Sequence, residues 1–386
     1  MKVRTITCHD VGNYGASLQA YALMSFIKGC GHDVKIIDYL PEYKPPCHAL
    51  GTFYNSGHAA TVGRYAPWLK PLMAFWQNRK ELRFQGRRRA FERFKAERLA
   101  TTARTYRNNG ELEQGLAADG DMKADLYIAG SDQIWNPYYG NGLDPAYYCA
   151  FVNNPPRCIS YAASFGKSDI TDGERQFIKP RLANFRALSV REKTGVDIAR
   201  SMGYDAVQVV DPVFLLSRET WNNISVDPET EDYVLVYDFL HNDPNIEALA
   251  RHFAQTEGLR IVAVNDKGSL SYADRNVSNA GPAEFLGYIR RARHVLASSF
   301  HAAAFSTIFE RDFYIFPMKG HGNSSRMTDF LNSIGLTNRF ITEITAVEGK
   351  RIDFSRVNML LEKQVDASRL WLKRQMENTN NTLTWK

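Results

Sequence analysis

The sequence lacks the features that mark membrane-spanning or disulfide-stabilised proteins. No apolar run approaches the roughly 18 residues that a bilayer-spanning helix needs. Its five cysteines are odd in number and form no C-x-x-C pair, which argues against a disulfide framework and a cysteine-rich metal site. Met1-Lys2-Val3-Arg4 leads directly into a predicted strand, so we expect no signal peptide. We therefore expect a cytoplasmic protein.

The sequence also lacks common cofactor signatures. Gly12-Asn13-Tyr14-Gly15 precedes a predicted helix, but the spaced glycines of the dinucleotide fingerprint are absent. No group of His, Asp and Glu residues has metal-ligand spacing, so we predict no required metal and no bound cofactor. The formal charge of +6 favours small anionic ligands or an acidic surface without demanding nucleic acid, and we predict no nucleic-acid partner.

What the sequence does contain is an α/β pattern long enough for two lobes. At 386 residues, 44% of them hydrophobic, the chain exceeds one ordinary core. Short apolar strands alternate with helices from residue 3 to about 216, and a second series begins at Tyr233. We therefore predict lobes over 1–216 and 217–350, followed by a closing helix and polar tail over 351–386.

The predicted strands end in polar or small residues that should share one edge of a sheet. Such strands cover 3–8, 126–129, 159–162, 187–190 and 207–210 in the first series, and 260–264, 295–297 and 313–316 in the second. Ligands bind at the carboxyl edge of open α/β sheets. His301 lies in the first helical turn after strand 295–297, at this edge. The alternative is a core histidine bonded to a backbone carbonyl.

Two further stretches allow two interpretations each. The glycine turn at Gly12–Gly15 places free N–H groups at a helix start, where they favour an anion, or it serves only close packing. Residues 43–107 resemble an insertion, with cations dense over 79–98 and an aromatic stripe. A basic amphipathic helix suits an anionic membrane surface, and the alternative is a solvated outer face.

Several motifs together resemble the polysaccharide pyruvyl transferase family. Taken singly they are weak, but they occur in the family's order from about residue 10 to 336. They are Asn13-Tyr14-Gly15 with Leu18-Gln19-Ala20-Tyr21-Ala22-Leu23, Gly130-Ser131-Asp132-Gln133-Ile134-Trp135-Asn136, Ser189-Val190-Arg191-Glu192, Val210-Asp211-Pro212, Pro282-Ala283-Glu284-Phe285-Leu286, Ser299-Phe300-His301 and Asn323-Ser324-Ser325-Arg326. One departure is Ala302, where the family usually has glycine, and its methyl group would narrow the backbone's approach to a ligand.

This resemblance implies two Rossmann-like lobes facing each other across a cleft, as in the glycosyltransferase-B fold, with a C-terminal helix crossing back to the first lobe. It implies phosphoenolpyruvate as co-substrate and a sugar acceptor, either polymeric or lipid-linked. The product would be a pyruvate ketal on two hydroxyls, with release of phosphate. A lipid-linked acceptor would suit peripheral contact of segment 79–98 with the inner face of the plasma membrane.

The resemblance also assigns site residues. His301 matches the family's catalytic histidine and Arg191 its donor-binding arginine. The remaining matches, which we expect to bind the substrates, are Asn13, Gly15, Ser131, Asp132, Ser299, Lys319, Asn323 and Arg326.

The reaction that the resemblance implies explains why a histidine and an arginine would be needed in the site. An enol ether becomes electrophilic at C2 only when C3 accepts a proton, so we assign His301 as the acid, with the base for a sugar hydroxyl as its alternative. Arg191 would hold the donor's carboxylate or phosphate with a bidentate fork, unless it pairs with Glu192 or another carboxylate. Asp132 is either part of the site or a turn-former, and Asp211 is expected only to end a strand.

Two other functions remain open at this point. A nucleotide-sugar glycosyltransferase would use the same two-lobed cleft, because fold does not decide the donor. A non-catalytic carbohydrate-binding relative would retain the fold without the chemistry.

Overall fold

The structure, a computed structural model, describes residues 1–43, 84–153, 157–229, 232–239, 243–265, 268–318, 325–344 and 350–383. The first lobe contains β1 (Lys2–Ile6), α1 (Tyr14–Gly29), β2 (Asp33–Ile36), α2 (Gln85–Arg98), α3 (Asn109–Ala118), β3 (Leu126–Ala129), β4 (Cys158–Ser160), α4 (Asp172–Leu182), β5 (Leu188–Val190), α5 (Lys193–Ser201) and β6 (Ala206–Gln208). The elements that follow are α6 (Arg218–Ile224), β7 (Tyr233–Tyr237), α7 (Pro244–Glu257), β8 (Arg260–Val264), β9 (Arg275–Val277), α8 (Pro282–Arg291), β10 (His294–Ala297), α9 (Phe300–Ile308), β11 (Asp312–Ile315), α10 (Ser325–Ser333) and α11 (Phe354–Leu383).

The first lobe is built on parallel strands. Four of them have the order β2-β1-β3-β4, and β5 and β6 form a two-stranded continuation. Single parallel bridges, Ile159 to Ala187 and Ala163 to Val190, join the two parts. Strands β3, β4 and β5 are buried on both faces because helices cover the sheet, which explains their short apolar sequences, whereas β6 at the edge is exposed.

The second lobe contains one parallel sheet of five strands in the order β11-β10-β7-β8-β9. The first strand of this sheet in the chain is β7. Strands β8 and β9 follow on one side of it and β10 and β11 on the other, as in doubly wound folds. The predicted α/β architecture of two Rossmann-like lobes is therefore confirmed. Among the residues that the structure describes, no helix combines the length and apolar character that crossing a bilayer requires.

Tyr14, at the start of α1, anchors the first lobe to the second. Its ring stacks on Phe285 of α8, with centroids 4.4 Å apart, and its hydroxyl donates to the carbonyl of Ala280 at 3.0 Å. The tyrosine side chain is fully enclosed. Stacked aromatic pairs add to the free energy of ordinary apolar burial, so this contact favours one arrangement of the lobes.

Helix α2 is the described part of the basic segment, whose residues 79–83 lie outside the described ranges. Arg87 is buried and donates to the carbonyl of Gly12 at 2.6 Å. Lys95 donates to both Asp10 and Asp38 at 2.9 Å. Arg93 pairs with Glu284 of the second lobe. Arg87 and Lys95 therefore face protein, whereas Arg93 forms its ion pair at the surface, where its side chain is 57% exposed.

The closing helix α11 crosses back to the first lobe, as predicted, and extends into the stretch expected to be a polar tail. Ser368 accepts a hydrogen bond from the N–H of Val210 at 3.0 Å, and Arg369 donates to the carbonyl of Leu215 at 2.8 Å. Farther along, the guanidinium of Arg186 donates to the carbonyl of Gln375 at 2.6 Å. The C-terminal helix thus braces the last strands of the first lobe.

The Tyr14 contact yields a graded stability prediction. Tyr14→Phe removes only the hydrogen bonds of the hydroxyl and should lower the free energy of unfolding by about 1 kcal/mol. Tyr14→Ala also removes the stacked ring and should cost about 3 kcal/mol or more. Urea denaturation of both variants and the parent protein measures these losses. Equal stability of Tyr14→Ala and the parent would contradict the proposed anchoring role.

Candidate active site

Both lobes present the reversal points of their sheets to one cleft. The order reverses between β1 and β3 in the first lobe and between β7 and β10 in the second. Loops after such strands diverge and leave a crevice for ligands. Asn13 follows β1, Asp132 and Gln133 follow β3, and Ser299 and His301 follow β10. All five side chains line a single cavity of about 120 Å³.

This cavity, called the His301 cavity below, combines residues of both lobes. Its lining consists of Asn13, Asp132, Gln133, Tyr139, Phe239, Ser298, Ser299, Phe300, His301, Met318, Arg326 and Met327. A larger cavity of about 290 Å³ adjoins it and contains Arg191. Phe300 and Arg326 line both, so they stand between the two spaces.

The carboxylate of Asp211 lies between Arg191 of the first lobe and His301 of the second lobe. Nη1 of Arg191 donates to it at 2.6 Å, and Nε2 of His301 lies 3.6 Å away, an ion-pair distance longer than a direct hydrogen bond. The N–H of Val213 donates to the other oxygen at 3.1 Å. Burial opposes the charge, but His301 and Arg191 hold the pKa of Asp211 well below its usual range. Asp211 therefore stays ionised at neutral pH.

Arg191 has a buried guanidinium group, two of whose nitrogen atoms have no hydrogen-bond acceptor. Besides Asp211 it lies 3.5 Å from Asp132 and 4.7 Å above the ring of Phe300. Burial works against its charge, but Asp211, Asp132 and Glu192 raise its pKa above the ordinary value. Its Nε and Nη2 atoms are buried without a hydrogen-bond partner. An unsatisfied buried donor is costly, so an anionic ligand that accepted these bonds would be strongly favoured.

Arg326, at the start of α10, faces the same region from the second lobe. Burial and the positive charge of Arg191 lower the pKa of Arg326 to about 10, so it is still protonated at neutral pH. The amide oxygen of Gln133, in the orientation that satisfies its neighbours, accepts from both terminal nitrogens at 3.1 and 3.3 Å. Its Nε has no partner. An anion between the two guanidiniums would relieve their mutual repulsion.

Glu192, the alternative partner considered for Arg191, has a mainly structural role. It lies 4.0 Å from Nε of Arg191. Its Oε1 accepts from Ser164 Oγ at 2.9 Å and from the N–H groups of Phe165 and Gly166 at 2.9 and 3.2 Å. These bonds fix the loop after β4 against the end of β5.

His301 depends on a close contact with α1. A Cβ atom at Gly15 would lie only 1.9 Å from Nδ1 of His301, so the imidazole packs directly on the glycine backbone. Nε2 of His301 is buried and has no hydrogen-bond partner. The ring is thus held between α1 and the Asp211 carboxylate, with one nitrogen available for a proton transfer.

Two helix N-termini also point at the site. Asn13 caps α1 by accepting the N–H of Ala16 at 3.1 Å, and Ser299 caps α9 by accepting the N–H of Ala302 at 3.4 Å. Each capped end carries about half a positive charge. Both ends therefore add to the attraction for an anion that the guanidiniums supply.

The structure brings together most of the predicted residues but not all of them. Ser131 is fully buried outside the cavity lining, with its N–H bonded to Gln19 at 3.0 Å and its hydroxyl to the carbonyl of Ala162 at 2.8 Å. This structural role corrects its assignment as a substrate contact. Gly15 serves the packing of His301. Lys319 and Asn323 lie outside the described residues.

One other expectation also changes. The methyl group of Ala302 is buried in the apolar core instead of facing the cavity, so it does not narrow the ligand's approach. His9, which follows β1, lies in a buried network and bonds to Asp38 at 2.9 Å. That network also contains Lys95, which fixes the loop before Asn13.

Sequence reasoning missed Asp211 as part of the site. The Val210-Asp211-Pro212 motif was assigned only to the end of a strand, although its place beyond β6 puts it at the same sheet edge as Arg191. Sequence reasoning also missed Tyr139 and Phe300, which line the cavity. The sequence around an aromatic residue does not show whether its ring lines a cavity or packs in the hydrophobic core. Over the described ranges, no three His, Cys, Asp or Glu side chains are grouped so that they could hold a metal ion.

Comparison with known proteins identifies the family. The family model for polysaccharide pyruvyl transferases matches residues 13–319. The chain belongs to the polysaccharide pyruvyl transferase family. The match includes the loop at Asn13, the Asp132 and Arg191 regions and His301. A search of curated proteins finds no significant match to this polysaccharide pyruvyl transferase.

Solved structures agree on the fold at low sequence identity. UDP-GlcNAc 2-epimerase from Neisseria meningitidis bound to UDP-GlcNAc has a TM-score of 0.50 at 8% identity, over 98% of this chain and 100% of that chain. The UDP-GlcNAc 2-epimerase from Methanocaldococcus jannaschii has 0.49 at 10% identity, over 95% and 93%. E. coli ADP-heptose LPS heptosyltransferase II has 0.37 at 11%, over 94% and 99%. The likeness to the Neisseria meningitidis epimerase agrees with the predicted glycosyltransferase-B-like fold of two Rossmann-like lobes.

The contact between Gly15 and His301 gives a sharp prediction. Gly15→Ala should displace the imidazole and lower the turnover of the enzyme by at least about 10²-fold, since small misplacements of a catalytic group have this effect. Steady-state kinetics with saturating substrates measures the loss.

Gly29→Ala is the matched control, because Gly29 ends the same helix and a Cβ atom there meets nothing within 4 Å. This control should keep full activity. Normal turnover in Gly15→Ala would contradict the packing constraint on His301.

Proposed function

We propose that this enzyme transfers the enolpyruvyl group of phosphoenolpyruvate to two hydroxyls of a sugar, forming a pyruvate ketal and releasing phosphate. The acceptor is a bacterial-type surface polysaccharide or its lipid-linked precursor. The observation that carries the proposal is the convergence of one imidazole and two buried guanidiniums, each with an unpartnered N–H or ring nitrogen, on adjoining cavities between the lobes of a chain in this family.

The charges of the site suit a small, doubly anionic donor. Asp211, Asp132 and Glu192 offset the charges of Arg191 and Arg326, so the guanidiniums alone leave no positive excess. The proposed mechanism requires a protonated His301, and its charge and the N-terminal ends of α1 and α9 supply the positive excess. The guanidinium groups orient the donor, because their planar N–H pairs can form two parallel hydrogen bonds to a carboxylate or phosphate.

The first chemical step requires an acid beside the donor's methylene carbon. In the proposed mechanism Nε2 of His301 transfers its proton to C3. The π electrons of the enol double bond form the new C3–H bond, which leaves C2 electron-poor. The Asp211 carboxylate stabilises the imidazolium before this transfer and keeps the ring oriented. A sugar hydroxyl then adds to C2, and the neutral His301 ring accepts the hydroxyl proton.

The second step exchanges phosphate for the other hydroxyl. The C2–O bond to phosphate breaks while Arg191 and Arg326 stabilise the departing charge, and the second hydroxyl adds to the same carbon. The proton of one sugar hydroxyl restores the proton that His301 gave to C3. The proton of the other hydroxyl leaves with phosphate. No oxidant, metal or nucleotide enters this balance.

A nucleotide-sugar-dependent glycosyltransferase remains the alternative function, followed by a non-catalytic carbohydrate-binding relative. The grouping of Arg191, Arg326 and His301 around adjoining cavities argues for the smaller donor, because planar guanidinium groups match the carboxylate and phosphate of an enol phosphate.

Acceptor-dependent phosphate release from phosphoenolpyruvate tests the proposed function directly. The parent protein should release phosphate only when phosphoenolpyruvate and a lipid-diphosphate-linked sugar are both present. His301→Ala should lower this rate by about 10²–10⁴-fold because the acid is lost. His252→Ala, at an exposed position on α7, is the matched control and should keep the rate.

Two outcomes would contradict this account. Release of a nucleoside diphosphate from a sugar nucleotide would favour the glycosyltransferase. Unchanged phosphate release in His301→Ala would exclude His301 as the acid.

We further propose that the enzyme acts in the cytoplasm and touches the inner face of the plasma membrane through the outer side of α2. Arg87 cannot take part because it is buried, whereas Arg89 is exposed on the opposite side of this helix and Arg98 is exposed at its C-terminal end. Each surface cation near an anionic bilayer contributes about 1 kcal/mol.

Vesicle sedimentation tests the membrane contact. The enzyme should bind phosphatidylcholine vesicles that contain phosphatidylserine more tightly than pure phosphatidylcholine vesicles, and salt should weaken the binding. The double variant Arg89→Glu, Arg98→Glu should lose most of the difference. Arg200→Glu, an exposed arginine on α5, serves as control. Binding that is indifferent to phosphatidylserine would contradict the contact.

A further inference from the structure

We propose that a second cavity in the first lobe binds another sugar ring of the acceptor, next to the ring that receives pyruvate. This inference rests on the proposed function, because it takes the acceptor to be a saccharide of at least two rings. The cavity has a volume of about 390 Å³, and we call it the Tyr43 cavity after the side chain on its wall.

The Tyr43 cavity lies beside the His301 cavity. Tyr139 lines the His301 cavity, and the next residue, Gly140, lines the Tyr43 cavity. A Cβ atom at Gly140 would lie 2.8 Å from Cδ2 of Tyr43, so the tyrosine ring packs against bare backbone. The loop that contains Tyr139 and Gly140 therefore contributes to both spaces, and in this proposal the acceptor extends across it from one to the other.

Exposed aromatic side chains mark this region. Tyr43 is 47% exposed, and Tyr138, on the same loop as Tyr139, is 63% exposed. In the described part of the chain they are the only aromatic residues among the large apolar side chains that are exposed to this degree. The negative face of an aromatic ring attracts the weakly positive C–H groups of a sugar, and its flat shape matches a pyranose.

A buried carboxylate holds the tyrosine in place. Asp144 is 5% exposed and accepts from the hydroxyls of Tyr39 at 2.7 Å and Tyr43 at 2.5 Å. Its other oxygen accepts the N–H of Ala146 at 2.9 Å. The ring of Tyr43 therefore loses little freedom when a ligand binds, which favours affinity.

The polar groups of the cavity suit a neutral ligand with many hydroxyls. The described lining has one cation, Arg107, and two carboxylates, Glu42 and Asp144, so it does not attract an anion as the His301 cavity does. Oδ1 of Asn109 is buried without a partner and can accept a hydrogen bond from a hydroxyl, while its Nδ2 donates to Glu113 at 2.7 Å. A mixed aromatic and polar lining of this kind recognises an uncharged saccharide better than an anion.

Glycan binding without phosphoenolpyruvate tests the inference independently of catalysis. The full chain is applied to an array of immobilised mono- to tetrasaccharides, as parent, Tyr43→Ala, Tyr43→Phe and the control Met359→Ala on exposed α11. The parent should bind glycans of two or more rings. Tyr43→Ala should weaken that binding by about tenfold or more. Tyr43→Phe keeps the ring and should retain most of the affinity, and the control should match the parent.

Phosphate-release kinetics on the same variants separates this inference from the proposed function. Tyr43→Ala should raise the KM for an oligosaccharide acceptor and leave the KM for phosphoenolpyruvate unchanged. Tyr43-dependent glycan binding without any phosphate release would support the cavity and contradict the proposed function. Phosphate release that is indifferent to Tyr43, or an array on which no glycan of two or more rings binds the parent, would overturn the inference.

Discussion

The carboxylate of Asp211 is the interaction on which the rest of the site depends. Within the protein interior it lies between the guanidinium of Arg191 in the first lobe and the imidazole of His301 in the second. Removing one member of a buried charge pair leaves the other uncompensated, at a cost of several kcal/mol. The arrangement of the two lobes and the positions of the reactive groups are therefore coupled through a single side chain.

Long-range contacts hold the two lobes in the geometry that this carboxylate requires. Tyr14 and Arg93 connect the first lobe to α8, and α11 returns from the second lobe to the strands before Asp211. Arg87 and Lys95 fix the loop that leads to Asn13 from the side of α2. Because α1 begins directly after this loop, the same contacts set the position of Gly15 against His301. The basic helix is thus part of the machinery that positions the site.

Much of the fold could be predicted from sequence because its signals are local. Short apolar strands that alternate with amphipathic helices indicate parallel sheets, and polar residues after each strand indicate the ligand edge. This reasoning located Asn13, Asp132, Arg191 and His301 in one region. Family motifs added Arg326, which lies on a different strand-to-helix connection.

The remaining features depend on partners that are distant in the chain. The cations of α2 form an amphipathic pattern, but their carbonyl and carboxylate partners lie 75 and 85 residues away. Ser131 belongs to a polar loop at a strand end, but its N–H and hydroxyl groups bond to Gln19 and Ala162 and not to a ligand. The contact of Gly15 with His301 and the role of Asp211 appear only when both lobes are assembled, and no local periodicity encodes them.

The central claim is that a doubly anionic enol phosphate binds between the lobes with its methylene carbon beside His301. A crystal structure of the protein soaked with phosphoenolpyruvate tests it most directly. The account predicts carboxylate and phosphate oxygens within hydrogen-bond distance of Arg191 and Arg326, and C3 next to Nε2 of His301. Donor density away from these arginines, or a methylene carbon turned away from the imidazole, would contradict it.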